Sequence, residues 1–324
     1  MIFAWVPGER GLVRHECAIG GIPPGAVWID LLDPSKEEET TTERTLGLEL
    51  PTRAEMQEIE ASSRLYRENN VAYMTATLLS KTETETPEIT QVTFILGRER
   101  MVTIRYAEPW SFKTFATRAP KSGVTTADQA FAVLLDTTVE RLADLLELVQ
   151  LEIETLNQRI FKRRGQASET DLRRSLHRIA TVGNILGKVR ESLIDKTRII
   201  TFAKQSPADC LSADCRARLD ATGHDIAVLS DHATFNSGKI NFLLDAVLGL
   251  INIGVNDRMR TLSWVMVAVM WPTLVSGFFA MNVALPFPGT ESGRLWPFML
   301  CVLLAFGPLL GGFIWFWRRQ RRER

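Results

Sequence analysis

The sequence predicts an α+β head, with helices around a mixed sheet, carried on a long helical stalk that ends in a two-helix transmembrane hairpin. Three observations predict it. Segments rich in β-branched and aromatic residues, punctuated by turn signals, fill roughly the first 110 residues. From Ala127 onward, apolar residues recur at three- and four-residue intervals with charges between them. Residues 261–290 and 295–317 contain no Asp, Glu, Lys or Arg, and each exceeds the ~20 residues that cross ~30 Å of hydrocarbon as a helix.

In the head, Ala26 to Leu32 (AVWIDLL) reads as a buried strand ended by Asp33-Pro34. The acidic stretch after it, with Glu37, Glu38 and Glu39, reaches Gly47, which predicts a short helix with a glycine stop and a solvated acidic turn. Thr52 and Glu55 have capping-box spacing, predicting a helix through about Ser62. Segments 64–68, 71–79, 89–96 and 101–106 read as strands. Asn69-Asn70 separates the first two and residues 97–100 the last two, so two hairpins are expected in a sheet of four or five strands.

Residues 127–163, 168–205 and 209–260 read as three long helices. The first repeats Leu134, Leu135, Leu142, Leu145, Leu146, Leu148, Val149, Ile153, Leu156 and Ile160. Such lengths point to an extended bundle or coiled-coil stalk. No Pro lies between Pro207 and Pro272, so the third helix is expected to continue into the first span. The expected organisation is a head over 1–126, a helical hairpin over 127–205 and a stalk over 206–260. A first span over 261–282, a loop over 283–294, a second span over 295–317 and a basic tail over 318–324 complete it.

The chain of 324 residues is formally neutral, with 38 Lys+Arg and 38 Asp+Glu. That neutrality is a cancellation. Residues 318–324 carry five Arg and one Glu, and the rest carries the opposing −4, which excludes a strongly basic nucleic-acid binder. Arg258 and Arg260 precede the first span and the Arg cluster follows the second, so the positive-inside rule places both termini of the multi-pass protein in the cytoplasm. Residues 1–8 lack the basic-then-apolar pattern of a signal peptide, which agrees with a cytoplasmic head. Trp264, Trp296, Trp315 and Trp317 near span ends suit an aromatic belt. Cys17, Cys210, Cys215 and Cys301 are scattered, which fits a reducing compartment and no disulfide framework.

Projected at about 100° per residue, Asn241, Asp245, Asn252, Asn256, Met259, Ser263, Met266, Met270, Thr273 and Gly277 fall within an arc of roughly 100°. Amide and hydroxyl oxygens suit a hydrated hard cation, and the stripe has no thiolate–imidazole cluster for a soft metal. A Met-rich section is a candidate gate that opens by widening and wetting. Pro272 frees the Ala268 carbonyl, marking an expected bend. Two spans cannot enclose a hydrophilic path, so conduction would require several copies around an axis.

The stretch Phe242 to Asn282, with FLLDAVLGLINI and WPTLVSGFFAMN, resembles the CorA family of divalent-cation transporters. AVWIDLLDP (26–34) and LPTRAEMQEIEASSR (50–64) extend the resemblance over essentially the whole chain, closer to the magnesium branch than to the zinc branch. The resemblance implies a homopentameric funnel in which intracellular divalent cation is sensed between subunits. It also implies Mg²⁺ as the transported and regulatory ion, with no organic cofactor. The family signature is Gly-Met-Asn after an aromatic residue. Here Phe279 takes the aromatic place, Ala280 replaces the glycine, and Met281 and Asn282 match, so the Asn282 ring would hold hydrated Mg²⁺ at the pore mouth. Thr273 matches a polar ring lower in the pore. Ala280 would be strained in a positive-φ turn, comfortable in a last helical turn, or a source of crowding at the mouth. Relatives place acidic residues soon after the triplet, whereas here Glu291 is the only acidic candidate in the loop.

Three functions are therefore open. The first is a Mg²⁺ channel, passing Co²⁺ and Ni²⁺ as well, gated by intracellular divalent cation and driven by the electrochemical gradient. The second is a Zn²⁺ transporter of the related branch, for which His177, His224 and His232 are the candidate ligands. The third is a non-conducting membrane sensor or scaffold, against which the polar stripe argues. Asp245 is a candidate for cytoplasmic cation attraction or sensing. No phosphate-binding loop, His-Glu-x-x-His or nucleophile elbow occurs, so no enzyme is expected.

Overall fold

The protein is described as a computed structural model over residues 1–58, 60–84, 86–162, 169–205, 210–281 and 295–322. It divides into two compact units, Met1–Val247 and Leu248–Arg324.

In the first unit, seven strands form one mixed sheet: β1 (Ile2–Pro7), β2 (Leu12–Cys17), β3 (Trp28–Leu32), β4 (Leu65–Glu68), β5 (Val71–Ser80), β6 (Glu88–Leu96) and β7 (Met101–Arg105). The order is β2-β1-β3-β7-β6-β5-β4. Among the described residues only β3 and β7 pair in parallel, Trp28 opposite Met101 through Leu32 opposite Arg105. The sequence reading of four or five strands is corrected by β1 and β2. The edge strand β2 exposes Arg14, His15 and Glu16, so its charges hide the strand pattern while protecting the edge. Both expected hairpins form. Asn69 and Asn70 take φ of 49° and 64°, the conformation a two-residue hairpin turn requires, between β4 and β5.

Helix α1 (Lys36–Leu46) is capped by Ser35 and Glu38 and closed by Gly47 at φ 65°. Its acidic first turn is engaged: Glu38 also accepts from the Met1 ammonium at 3.0 Å, and Tyr106 donates to Glu39 at 3.2 Å. The Thr52–Glu55 box forms too, yet the helix it opens is α2, only Arg53–Met56, with a separate α3 at Ala61–Arg64. The expected helix through Ser62 stops early where Met56 plunges into the core at 1% exposure. That core layer joins Ile2, Ala4, Ile29, Leu31, Val102 and Ile104 of the sheet to Leu50 and Met56.

On the opposite face, α4 (Trp110–Arg118) sets Phe115 edge-on against the stacked pair Trp5–Trp28, whose rings lie 4.8 Å apart. Beneath it Arg105 and Asp30, both buried, form a bidentate pair at 2.8 Å, with Thr103 donating to Asp30 and Trp28 donating to Thr103. Each residue of this chain alternates between β3 and β7, so the network fixes the register of the one parallel pair.

Helices α5 (Ala127–Lys162) and α6 (Glu169–Lys204) pack together, and α6 lies on β5. Nine of the ten apolar positions predicted along α5 are buried, while Leu148 is exposed. At the α6–β5 seam, Arg64 donates to Asp195 at 2.8 Å, and Asp195 accepts from the Thr77 amide. Ser192 and Lys196 both donate to the Thr77 carbonyl. Helix α7 (Ala213–Ala280) is one uninterrupted helix of 68 residues that runs through Pro272, roughly 100 Å at ~1.5 Å per residue. Within the first unit its buried residues Leu219, Ile226, Ala233, Ile240 and Val247 recur every seven, with Thr222, Asn236 and Leu243 in the intermediate positions. A seven-residue repeat of this kind is the pattern of a coiled-coil seam. It passes Gly183 and Gly223, whose missing side chains leave room near Ile240 and Ile200.

Candidate functional site

In the second unit, the rest of α7 accompanies α8 (Leu295–Arg322). One helix among the described residues is long and apolar enough to cross a membrane, within Ala213–Phe278, and Val302–Gly312 is a shorter apolar stretch of α8. The face of α7 toward α8 is given by its contacts. The Trp271 indole donates to the Leu304 carbonyl at 3.0 Å, Val275 is buried, and Trp264 approaches Gly312. Between them lies a groove of about 790 Å³ lined by Trp264, Ala268, Trp271, Phe306 and Leu309 among others. Trp264, Ala268, Trp271 and Val275 follow helical spacing of four and three, one face of the helix.

The predicted stripe lies on the other side. Ser263, Met266, Met270, Thr273 and Gly277 are all exposed in the single chain, as are Asn252, Asn256 and Met259 nearer the stalk. At about 100° per residue this set is centred well over a quarter-turn from the α8-facing residues. The hydroxyls within it are committed in one direction. Ser263 donates to the Met259 carbonyl at 2.9 Å, and Thr273 to the Val269 carbonyl at 2.8 Å. With the proton turned back onto the helix, each oxygen presents lone pairs outward. A hydrated cation displays water O–H groups, so acceptors are the complementary lining.

Ala280 is the last residue of α7 and lies in helical conformation, not among the positive-φ residues; Met281 donates from its amide to the Phe278 carbonyl at 3.4 Å. At that backbone conformation Ala280 carries no left-handed strain. Met281 is exposed at the end of the helix. Asn282, Glu291 and residues 283–294 lie outside the described residues, as do the side chains of Phe279, Trp296, Trp315 and Trp317. Asn241 and Asp245 lie on exposed stalk turns of α7, and Asp245 has no ion pair among the described residues. His177, His224 and His232 are each exposed and do not come together; among the described residues no group of three His, Cys, Asp or Glu side chains could hold a metal. Cys17, Cys210 and Cys215 are free thiols. Burial pushes the Cys215 thiol up to about 12, aided by Asp128 and Asp214, so it is inert.

Sequence reasoning missed Trp271. The signal was in the partner helix: Pro308 lacks an N–H, which leaves the carbonyl four residues before it, that of Leu304, without a helical donor.

Comparison with known proteins agrees with this architecture. The profile of the family described as "CorA-like Mg2+ transporter protein" matches residues 24–320. The chain is similar to the magnesium transport protein CorA of Pasteurella multocida, at 28% identity over 99% of both chains. It is 30% identical to the magnesium transport protein CorA of Escherichia coli K12, over 87% of this chain and 88% of the relative. Its fold matches the complete structure of the CorA magnesium transporter from Methanocaldococcus jannaschii, with a TM-score of 0.72 and 17% identity over 98% of both chains. With a family match over nearly the entire length, the chain belongs to the CorA-like Mg²⁺ transporter family, membrane ion transporters and not enzymes.

Proposed function

We propose that this protein conducts Mg²⁺ into the cytoplasm down its electrochemical gradient, with Co²⁺ and Ni²⁺ as further cargo. The observation that carries the proposal is the α7 face opposite α8, where the Ser263 and Thr273 oxygens act as acceptors among Met266, Met270 and Gly277. Mg²⁺ dehydrates reluctantly, so it is best held through its water shell by such oxygens. A membrane potential supplies about 2.3 kcal/mol per charge per 100 mV, twice that for a divalent ion, and no nucleotide is needed.

The single chain leaves this face open. In the proposed homopentamer, with α7 and α8 as a transmembrane hairpin and both termini cytoplasmic, five copies of α7 surround the path. Asn282 with Met281 and Ala280 then rings the outer mouth, and Thr273 forms a polar ring below it. Met259, Met266 and Met270 form a narrow apolar section that conducts only when widened and wetted. Asn252 and Asn256 continue the amide lining toward the stalk, and Asp245 attracts or senses cations at its cytoplasmic end. Gating by intracellular divalent cation completes the proposal. Glu291, alone in its loop, gives weak electrostatic attraction at the mouth.

Flux into sealed vesicles with Mg²⁺, Co²⁺, Ni²⁺ and Zn²⁺ tests the reading, for wild type and Asn282→Ala. Mg²⁺ influx that loses its selectivity in Asn282→Ala is the expected result. Zn²⁺ influx without Mg²⁺ influx would move the protein to the zinc branch, and no influx of any ion would leave only the sensor role.

A further inference from the structure

The hydrogen bond from Trp271 to Leu304 joins α7 to α8 at an acceptor that an ordinary helix does not offer. In an α-helix the Leu304 carbonyl accepts from the amide of residue 308, and here residue 308 is proline. Within hydrocarbon no water replaces that donor, and an orphaned carbonyl is costly. The Trp271 indole lies 3.0 Å from this oxygen. Trp271 also immediately precedes Pro272, the one proline inside α7, and lies two residues before Thr273, which faces the other side of the helix with the stripe. Two prolines thus meet through one indole: Pro308 supplies the vacant acceptor on α8, and the donor sits at the proline of α7.

We propose that Trp271 is a positioning residue, a clasp that pins the Pro272 turn of α7 to α8 by completing the carbonyl that Pro308 leaves open, and so holds the Thr273 oxygen in its place on the ion path. Its effect on transport rests on the conducting role proposed above, while the clasp itself does not. The groove beside it is lined mainly by apolar side chains, which fix contact but not the rotation of one helix about the other.

The clasp has a particular genetic signature, because Pro308→Ala restores the missing N–H. Trp271→Phe keeps an aromatic ring and removes the N–H donor with the five-membered ring that carries it, stranding Leu304. In a Pro308→Ala background the same substitution strands nothing, since residue 308 then supplies the amide. The experiment measures Mg²⁺ influx into liposomes containing full-length wild type, Trp271→Phe, Pro308→Ala and the double variant. Alongside it, an ultraviolet resonance Raman difference spectrum of wild type minus Trp271→Phe reports whether the Trp271 N–H is hydrogen-bonded. Interhelical hydrogen bonds of this kind support an expected loss of about three- to tenfold in influx for Trp271→Phe, and less than about twofold when the change is made in Pro308→Ala. An equal loss in both backgrounds means that the ring only packs, and overturns the clasp. So does the absence of any loss in the wild-type background, or a difference spectrum in which the indole is free. Should wild type pass no Mg²⁺, the conducting role falls, and the Raman spectrum alone decides the clasp: a bonded indole that Pro308→Ala releases sustains it, and a free one ends it.

Discussion

Replacing Lys196 with Met removes a buried charge whose energetic signature is a slope with pH. Lys196 is fully buried on α6, and its ammonium lies 2.9 Å from the Thr77 carbonyl and 2.8 Å from the Ser192 hydroxyl. Burial pushes its pKa from the ordinary 10.5 down to about 7, opposed by the Asp195 carboxylate and aided by Arg64. Asp195 cannot hold the proton on, because it is already paired with Arg64. The folded chain therefore sheds this proton before the unfolded chain does. Below pH 7 both states are protonated and the group gives no slope. Between about 7 and 10.5 the unfolded state binds the extra proton, so stability rises with pH and levels above that window. The slope is about 1.4 kcal/mol per pH unit, or about 3 kcal/mol from roughly pH 7.5 to 9.5. Urea unfolding of the full-length protein in detergent, followed by the fluorescence of the buried Trp5 and Trp28, measures it. Lys196→Met flattens the curve in that window relative to wild type, whatever offset the lost hydrogen bonds to Thr77 and Ser192 add. Parallel curves for the two proteins would refute the argument, since they would mean that Lys196 stays charged in the fold.

Other consequences are equally concrete. Arg105→Met leaves Asp30 charged and buried, so it should cost about 3–5 kcal/mol in the same unfolding assay, and Asp30→Leu with Arg105→Met should cost less than the single change. Thr273→Val deletes an outward acceptor and should lower Mg²⁺ influx about tenfold, whereas Thr273→Ser should restore most of it. Ala280→Gly should not raise influx above wild type, because position 280 already takes a helical conformation that needs no glycine; a gain in influx would show that a glycine turn is needed there.

The sequence made the long elements legible and concealed the short ones. Helices α5, α6 and α7 carry many turns of periodicity each, so a single wrong residue such as Leu148 does not disturb the reading. Strands β3 to β7 were readable from apolar runs and from the turn residues Asn69-Asn70 and Gly97, whereas the hairpin of β1 and β2 was not. Strand β2, at the edge, trades its pattern for charges. The short α2 shows a different limit: a capping box says where a helix begins, while its end was set by the burial of Met56 in a tertiary core. At the candidate site, the stripe was visible as an arc of residue types, but its relation to α8 was not. Nor did the sequence reveal which hydrogens Ser263 and Thr273 have already spent on their own helix.

That last point bears on how one helix can serve two surroundings. A hydroxyl in a span must donate somewhere, and lipid accepts nothing. By donating to the carbonyl four residues back, Ser263 and Thr273 become tolerable at an exposed helix face, and in the proposed pore they would present only their acceptor character. The opposite face solves its own polar problem through Trp271, which meets a carbonyl that Pro308 had left open. Neither solution uses a charge, so α7 can lie in hydrocarbon on one side and beside water on the other. The charged residues of the same helix, from Asp214 to Arg260, are confined to its stalkward turns. An ionised side chain introduced at Met266 or Met270 would break that separation. It would hold water in the apolar section whether the path is open or closed, so Met270→Asp should leak cations when intracellular Mg²⁺ is high, and a variant that still closes under that load would show that the constriction lies elsewhere.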